Sequence, residues 1–174
     1  MRPTKPHSIN DLMQRVNSIA GLTLGQLANQ YNFKTPDDLL REKGWTGQLI
    51  EYVLGATAGS KPLPDFEDLG IELKTLPISY KGRPLETTFV SVTPLMNVTG
   101  MTWHTSSVRK KLNHVLWLPI LSERDIAPFD RTIGSGFLWQ PTPEQDAILQ
   151  RDWEEQMELI ALGRVDEISG HLGD

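Results

Sequence analysis

The fold of this chain is decided by one stretch of its sequence, Asp65-Phe66-Glu67-Asp68-Leu69-Gly70-Ile71-Glu72-Leu73-Lys74-Thr75. The second half of this motif has the alternation of a β-strand, in which successive side chains point to opposite faces of the sheet. Glu72 and Lys74 are therefore predicted to share one face. Ile71 and Leu73 are predicted to point to the opposite face, toward the hydrophobic core.

The charged residues of the motif suggest a chemistry. Asp65 precedes the turn residue Gly70, so its side chain can fold back toward the face that carries Glu72 and Lys74. Two carboxylates and one ammonium at one point suit metal-assisted phosphodiester hydrolysis, because hard oxygen ligands hold Mg²⁺ and the metal activates water. The lysine can orient that water or stabilise the developing anion. Short patterns of this kind also occur by chance on solvated strand faces, so the motif alone leaves both interpretations open.

The composition is that of an ordinary globular protein. The 174 residues are 39% hydrophobic and 22% charged, which is enough for one domain with a substantial core. The absence of cysteine excludes disulfide bonds and thiolate metal sites. No apolar run approaches the length of a membrane span, and the first residues lack the apolar core of a signal peptide. We therefore expect a soluble, cytoplasmic, monomeric protein without a membrane partner.

The charge of the chain is unevenly distributed. The net charge is −5, but residues 1–115 carry a net charge of +3 and residues 116–174 carry −8. The mildly basic part contains the motif, so a surface that faces DNA is compatible with the charge of that part. The acidic part is expected to form a solvated face or a surface for a protein partner.

Periodicity and capping signals predict helices on both sides of the motif. These helices run from Ser8 to Gly21, from Thr23 to about Tyr31, from Pro36 to about Lys43, over residues 45–57, over residues 105–112, and from Thr142 to Gly163. Further strands are predicted over residues 87–95 and 115–120, and residues 133–139 are expected to be irregular or at a sheet edge because glycines interrupt them. This order predicts an α/β or α+β fold with the motif strand near the centre of a mixed sheet.

Two features next to the motif remain ambiguous from the residues alone. Glu51 lies on the side of its predicted helix opposite the apolar stripe, where it either reaches a neighbouring strand or faces water. The loop of residues 55–61 superficially resembles a phosphate-binding loop, but its spacing is one residue short and it follows a helix rather than a strand. A nucleoside triphosphatase is therefore excluded. Lys61 and the backbone of the loop, Ser60 included, remain candidates for contact with a DNA phosphate.

Several further blocks occur in a fixed order along the chain. They are Lys43-Gly44-Trp45, residues 55–61, the motif itself, Arg83-Pro84-Leu85-Glu86-Thr87-Thr88-Phe89-Val90, Val108-Arg109, Lys111-Leu112, Val115-Leu116-Trp117 and Asp152-Trp153-Glu154-Glu155. This series resembles the MutH family, the strand-discriminating endonucleases of methyl-directed mismatch repair. The resemblance extends from about Ile19 to Ile168, and it is far more specific than the motif alone.

The resemblance implies a fold and an activity. The fold is restriction-endonuclease-like: a single α+β domain over residues 1–174, with a mixed central sheet flanked by helices and two lobes around a DNA cleft. The implied activity is Mg²⁺-dependent nicking of the unmethylated strand of double-stranded DNA at hemimethylated GATC sites. A MutL-type activator is the implied protein partner.

The resemblance also implies roles for individual residues. The implied catalytic residues are Asp65, Glu72, Lys74, Glu51 and Lys111. The implied metal ligands are the carboxylates of Asp65 and Glu72 and the backbone carbonyl of Leu73. The residues implied to lie near DNA are Lys43, Phe89, Arg109 and Lys110, although the run from Arg109 to Lys111 also fits a solvated helix face.

The end of the chain leaves two alternatives open. Members of the family continue past the position of Asp174 with a segment associated with sensing adenine methylation, so the chain is expected to be a C-terminally truncated form. One alternative is therefore a catalytically silent core that binds DNA or MutL. Another is a restriction endonuclease that cuts both strands at GATC, which a short single domain disfavours.

Overall fold

The computed structural model describes residues 3–36, 44–59 and 61–168, and this part of the chain has an α+β fold. Its α-helices are α1 (Ile9–Ile19), α2 (Leu24–Gln30), α3 (Trp45–Leu54), α4 (Ser107–Leu112) and α5 (Pro143–Ala161). Its strands are β1 (Glu72–Ile78), β2 (Val115–Leu121), β3 (Thr132–Ile133) and β4 (Phe137–Trp139). The predicted fold class is confirmed.

Local capping signals start three of the helices where the sequence predicts. The Ser8 hydroxyl accepts a hydrogen bond from the backbone N–H of Asp11 at the start of α1. Reciprocal capping boxes join Thr23 to Gln26 in α2 and Thr142 to Gln145 in α5. The helix predicted to begin at Pro36 falls largely on residues 37–43, outside the described residues.

The sheet is mixed, and β2 is its central strand in the described part of the chain. β1 pairs with β2 in parallel along its whole length, from Glu72 opposite Val115 to Ile78 opposite Leu121, while β3 and β4 pair with β2 antiparallel. The motif strand β1 therefore lies at an edge of this sheet. The predicted position near the sheet centre is wrong. For residues 133–139 the expectation of an interrupted segment at a sheet edge is confirmed, because the short strands β3 and β4 pair only with β2 among the described strands and residues 134–136 between them are irregular.

The strand predicted over residues 87–95 is also wrong. After β1 the chain makes one antiparallel bridge, from Ile78 to Pro84, and the N–H of Leu85 donates to the carbonyl of Pro77. The segment then continues without regular structure, and the side chain of Phe89 is 70% exposed. Strand propensity is expressed only where a residue can pack against neighbouring strands, and this segment leaves the edge of β1 before it can do so.

Two hydrophobic clusters hold the elements that surround the motif. The larger one packs α1, α2 and α3 against one face of the sheet, with members that include Leu12, Leu49, Ile71 and Leu116. The smaller one contains Trp103, Trp153, Met157 and Ile160, and it joins α5 to the segment before α4. The first cluster places α3 beside β1, and the second places α5 beside the approach to α4. No helix in the described ranges is long and apolar enough to cross a membrane.

Candidate active site

The site lies at the start of β1, where four parts of the chain meet. The strand itself supplies Glu72 and Lys74, and the loop before it supplies Asp65. α3 carries Glu51, and the last turn of α4 carries Lys111. The structure brings these five predicted catalytic residues into one electrostatically coupled group.

Glu72 is the centre of this group. Its side chain is 2% exposed, and its Oε1 atom lies 3.0 Å from the Nζ of Lys74 and 2.9 Å from the Nζ of Lys111. The alternation of β1 places Lys74 on the same face as Glu72. Lys111 reaches the same oxygen because the chain leaves α4 and enters β2 at Val115, which pairs with Glu72. Two lysines therefore compensate one buried carboxylate.

Asp65 is held by the backbone of the strand that follows it. Its Oδ2 atom accepts a hydrogen bond of 2.9 Å from the N–H of Leu73, and the residue is 9% exposed. Its own carbonyl accepts hydrogen bonds from the N–H groups of Thr57 and Ala58, in the loop after α3. Burial raises the pKa of Asp65 above its ordinary value, and the negative charge of Glu72 adds to this effect. The fold thus places a second carboxylate beside Glu72 at an electrostatic cost.

Glu51 points toward the site, which resolves the ambiguity that the sequence left. Its pKa is raised from 4.5 to about 7, chiefly because it is partly buried and also because Asp65 and Glu72 are negatively charged. The positive charges of Lys111 and Lys74 oppose this shift. Crowded carboxylates with raised pKa values are typical of sites that bind a cation or transfer protons.

This arrangement predicts a pH-dependent gain in stability for Glu51→Gln in metal-free buffer. The pKa of Glu51 in the folded state exceeds its ordinary value of 4.5, so ionisation costs the folded state more than the unfolded state. Wild type therefore loses stability relative to the variant as the pH rises from about 4.5 to about 7, and the difference stays constant above that. We expect the variant to be more stable by about 1–2 kcal/mol at pH 8 after allowance for solvent screening, and about as stable as wild type at pH 4.

The measurement is the free energy of unfolding from urea titrations in EDTA between pH 4 and pH 8. Glu86→Gln is the matched control, because Glu86 is exposed and its neutralisation should leave the pH profile unchanged. Identical profiles for Glu51→Gln and wild type would show that neither burial nor the other charges of the site raise the pKa of Glu51.

The donor set of the site fits a hard divalent cation. The Oε2 atom of Glu72 is buried and has no hydrogen-bond partner in the described part of the protein, whereas Oε1 faces the two lysines. Glu72 and Asp65 contribute carboxylate oxygens, the ligand type that Mg²⁺ takes. Among residues 3–36, 44–59 and 61–168, no three His, Cys, Asp or Glu side chains form a ready-made metal cluster. A cation here would therefore need backbone or water oxygens as well.

The backbone of β1 offers such an oxygen at Leu73. The N–H of Glu72 donates to the carbonyl of His114 and so points toward β2, while the N–H of Leu73 donates to Asp65 on the other side. In a strand the N–H and C=O groups of one residue point to the same side. The Leu73 carbonyl therefore points to the outer edge of β1, on the side where Asp65 lies.

The residues predicted to contact DNA have different surroundings. Lys110 is exposed, the side chain of Phe89 is 70% exposed, and Lys61 is exposed with its Nζ 3.3 Å from the Oε1 of Glu67. Lys43 and Ser60 lie outside the described residues. The contacts of these residues with DNA therefore stay predictions.

Arg109 has a protein partner that the sequence did not indicate. Its Nε lies 3.3 Å from Oδ1 of Asp146, in the first turn of α5. The two residues are far apart in the sequence, and the sequence did not single out Asp146. No local pattern could have identified this pair, because its geometry depends on the packing of α5 against the segment before α4.

Comparison with known proteins identifies the family of this chain. The chain matches the family model described as "DNA mismatch repair enzyme MutH" over residues 54–152, a range that contains Asp65, Glu72, Lys74 and Lys111. It is 55% identical over 172 residues to the DNA mismatch repair protein MutH of Shewanella woodyi, a match that covers 99% of this chain and 74% of that protein. The protein of the same name from Vibrio campbellii is 53% identical, with 100% of this chain and 76% of that protein covered.

A third relative gives the same result. The DNA mismatch repair protein MutH of Actinobacillus pleuropneumoniae is 56% identical over 171 residues, which cover 98% of this chain and 76% of that protein. Identities of this size over almost the whole chain show common descent and a common fold. The chain belongs to the MutH family of DNA mismatch repair proteins.

Proposed function

We propose that this chain is a Mg²⁺-dependent endonuclease of DNA mismatch repair that nicks the unmethylated strand at hemimethylated GATC sites. The observation that carries the proposal is the convergence of Glu72, Lys74 and Lys111 beside Asp65, in a chain of this family. The proposal includes a monomer that binds double-stranded DNA in a cleft between two lobes. A MutL-type partner would activate it.

The proposed metal ligands are Asp65, Glu72 through its unpartnered Oε2, and the carbonyl of Leu73. When bound there, Mg²⁺ would act as a Lewis acid that activates water and neutralises phosphate charge. Glu51 would support the site with a further carboxylate, whose pKa of about 7 falls as a cation approaches. All of these donors are oxygen atoms, which suits Mg²⁺ rather than a softer metal.

The lysines would act on the water and on the phosphate. Lys74 would orient the attacking water, whose oxygen forms a bond to phosphorus in line with the P–O3′ bond that breaks. The products are a 5′-phosphate and a 3′-hydroxyl. Lys111 is 21% exposed, so its ammonium would stabilise the charge on the scissile phosphate while Lys74 stays deeper beside Glu72.

DNA would approach across the exposed residues around this site. The ammonium groups of Lys61 and Lys110 would contact backbone phosphates, which position a protein on DNA without reading its sequence. Phe89 would meet the DNA through its exposed ring. Lys43 and Ser60 complete the proposed contact surface.

Removal of the metal tests the proposal directly. We expect the chain to convert supercoiled plasmid that carries hemimethylated GATC sites to open circles in Mg²⁺, and to leave it supercoiled in EDTA. Addition of a MutL-type activator should increase the rate. Primer extension on the nicked product should place the break in the unmethylated strand at GATC.

The controls separate the alternatives. A plasmid without GATC should remain supercoiled, and fully methylated plasmid should be cut far more slowly. Linear product formed without accumulation of open circles would favour a restriction enzyme that cuts both strands. DNA or MutL binding without any nicking in Mg²⁺, by a chain that is folded by circular dichroism, would favour the silent core.

A further inference from the structure

The position of Lys111 depends on a very short helix. α4 spans only six residues, Ser107–Leu112, and helices of this length are marginal in water without tertiary anchors. At its start, the hydroxyl of Ser106 accepts a hydrogen bond from the N–H of Arg109 and donates one of 2.8 Å to the carbonyl of Trp103. Ser106 and Trp103 are each 1% exposed. These contacts hold the start of α4.

The second anchor is Asp146 on α5. Its Oδ1 atom accepts a hydrogen bond of 3.1 Å from the indole N–H of Trp103, and the same oxygen lies 3.3 Å from the Nε of Arg109. The Nε of Arg109 is buried and makes no hydrogen bond in the described part of the protein, so its contact with Asp146 is an ion pair. One carboxylate oxygen of α5 thus faces both the helix α4 and the tryptophan that precedes it.

The contact of Arg109 with Asp146 and the contact of Lys111 with Glu72 lie on opposite sides of α4. Residues two positions apart on an α-helix are separated by about 200° around its axis. Arg109 therefore points toward α5 when Lys111 points toward β1, where its Nζ donates a hydrogen bond of 2.9 Å to Glu72. α4 is held between Asp146 on one side and Glu72 on the other.

We propose that Asp146 is a positioning residue, which acts through Arg109 to hold α4 at the angle that lets Lys111 reach the site. The expected effect on nicking rests on the proposed function. The expected effect on the position of Lys111 does not. The proposal also assigns the Nε of Arg109 to this ion pair with Asp146.

The test compares Asp146→Asn with Glu144→Gln. Both variants remove one negative charge from the first turn of α5. Glu144, however, is exposed and is not part of the contacts among Asp146, Arg109 and Trp103. Asp146→Asn keeps a carbonyl oxygen for the indole of Trp103 and removes only the charge that faces Arg109. We expect kcat for nicking to fall by about 10-fold to 100-fold in Asp146→Asn with KM for DNA nearly unchanged, since a small misplacement of a catalytic group has effects of this size.

A double variant shows whether Asp146 acts through Arg109. If it does, Arg109→Gln combined with Asp146→Asn will lose no more activity than the worse single variant. If Arg109 instead binds DNA on its own, Arg109→Gln will raise KM and the two effects will multiply. That result, or equal rates for Asp146→Asn and Glu144→Gln, would overturn the proposal.

A second measurement does not depend on nuclease activity. Lysine acetylation followed by mass spectrometry reports how accessible each ammonium is, and Lys110 on the exposed side of α4 is an internal control. In Asp146→Asn we expect labelling of Lys111 to rise several-fold while labelling of Lys110 stays constant. Unchanged labelling of Lys111 would refute the positioning role, whereas a rise in labelling together with an inactive wild type would refute only the proposed function.

Discussion

Lys74→Ala is expected to lower the rate of the proposed Mg²⁺-dependent nicking by about 10³-fold while the protein stays folded. The side chain of Lys74 is 13% exposed and its Nζ lies 3.0 Å from Glu72, so it is placed to act on a water or an anion beside that carboxylate. The fold should survive because Lys111 still compensates the charge of Glu72 after the change. A loss of activity would therefore mean that a catalytic group is missing, and not that the protein has unfolded.

The matched control is Lys81→Ala. Lys81 is exposed in the turn after β1, so its removal changes the net charge equally but leaves the site intact. Single-turnover nicking of a GATC plasmid and thermal unfolding should be measured for both variants and wild type. Nicking by Lys74→Ala at more than about a tenth of the wild-type rate would mean that Lys74 is not a catalytic group.

Gly55→Ala is expected to have the largest effect on stability, about 3 kcal/mol. Gly55 ends α3 with φ of +81°, and a Cβ atom at this position would lie 2.3 Å from the carbonyl oxygen of Thr4. The left-handed backbone costs a non-glycine residue about 1–2 kcal/mol, and displacing the neighbouring backbone adds about 1–3 kcal/mol. The N-terminal segment cannot move away freely, because the guanidinium of Arg15 donates to that same Thr4 carbonyl.

Gly21→Ala separates the cost of the left-handed backbone from the cost of the contact with Thr4. Gly21 follows α1 with φ of +84°, almost the same backbone conformation, but a Cβ atom there would meet nothing within 4 Å. Urea unfolding should therefore show a loss of about 1–2 kcal/mol for Gly21→Ala and a clearly larger loss for Gly55→Ala. Equal losses would show that the packing of Thr4 on Gly55 contributes nothing.

The Gly55 contact also matters for the site. The residues after it carry the N–H groups of Thr57 and Ala58 that bond to the carbonyl of Asp65. Displacement of this loop should therefore move Asp65 relative to Glu72. We expect Gly55→Ala to lose nicking activity even at temperatures where most of the protein remains folded.

Much of the site could be predicted from sequence because its signals are local. The alternation of the motif predicted that Ile71 and Leu73 enter the core and that Glu72 and Lys74 share the other face, and the structure confirms this. Capping residues such as Ser8 marked helix starts for the same reason, since each cap bonds to a backbone group only three residues away.

The two wrong predictions about the strands share a different physical cause. The segment of residues 87–95 is rich in Thr, Val and Phe, which is the composition of a strand, but a strand needs a neighbouring edge and a surface that covers its side chains. The place of β1 at the sheet edge likewise depends on which segments pair with it. Neither property is encoded in the residues of the segment itself.

By itself the sequence determined the starts of α1, α2 and α5, the two faces of the motif strand and, through the order of its blocks, the family. Only the tertiary structure decided that Glu51 faces the site, that Lys111 shares an oxygen of Glu72 with Lys74, and that Asp146 lies beside Arg109. The physical reason is the range of the interactions. Alternation and capping act between residues a few positions apart, whereas these charges meet only after α3, α4 and α5 have packed around the sheet.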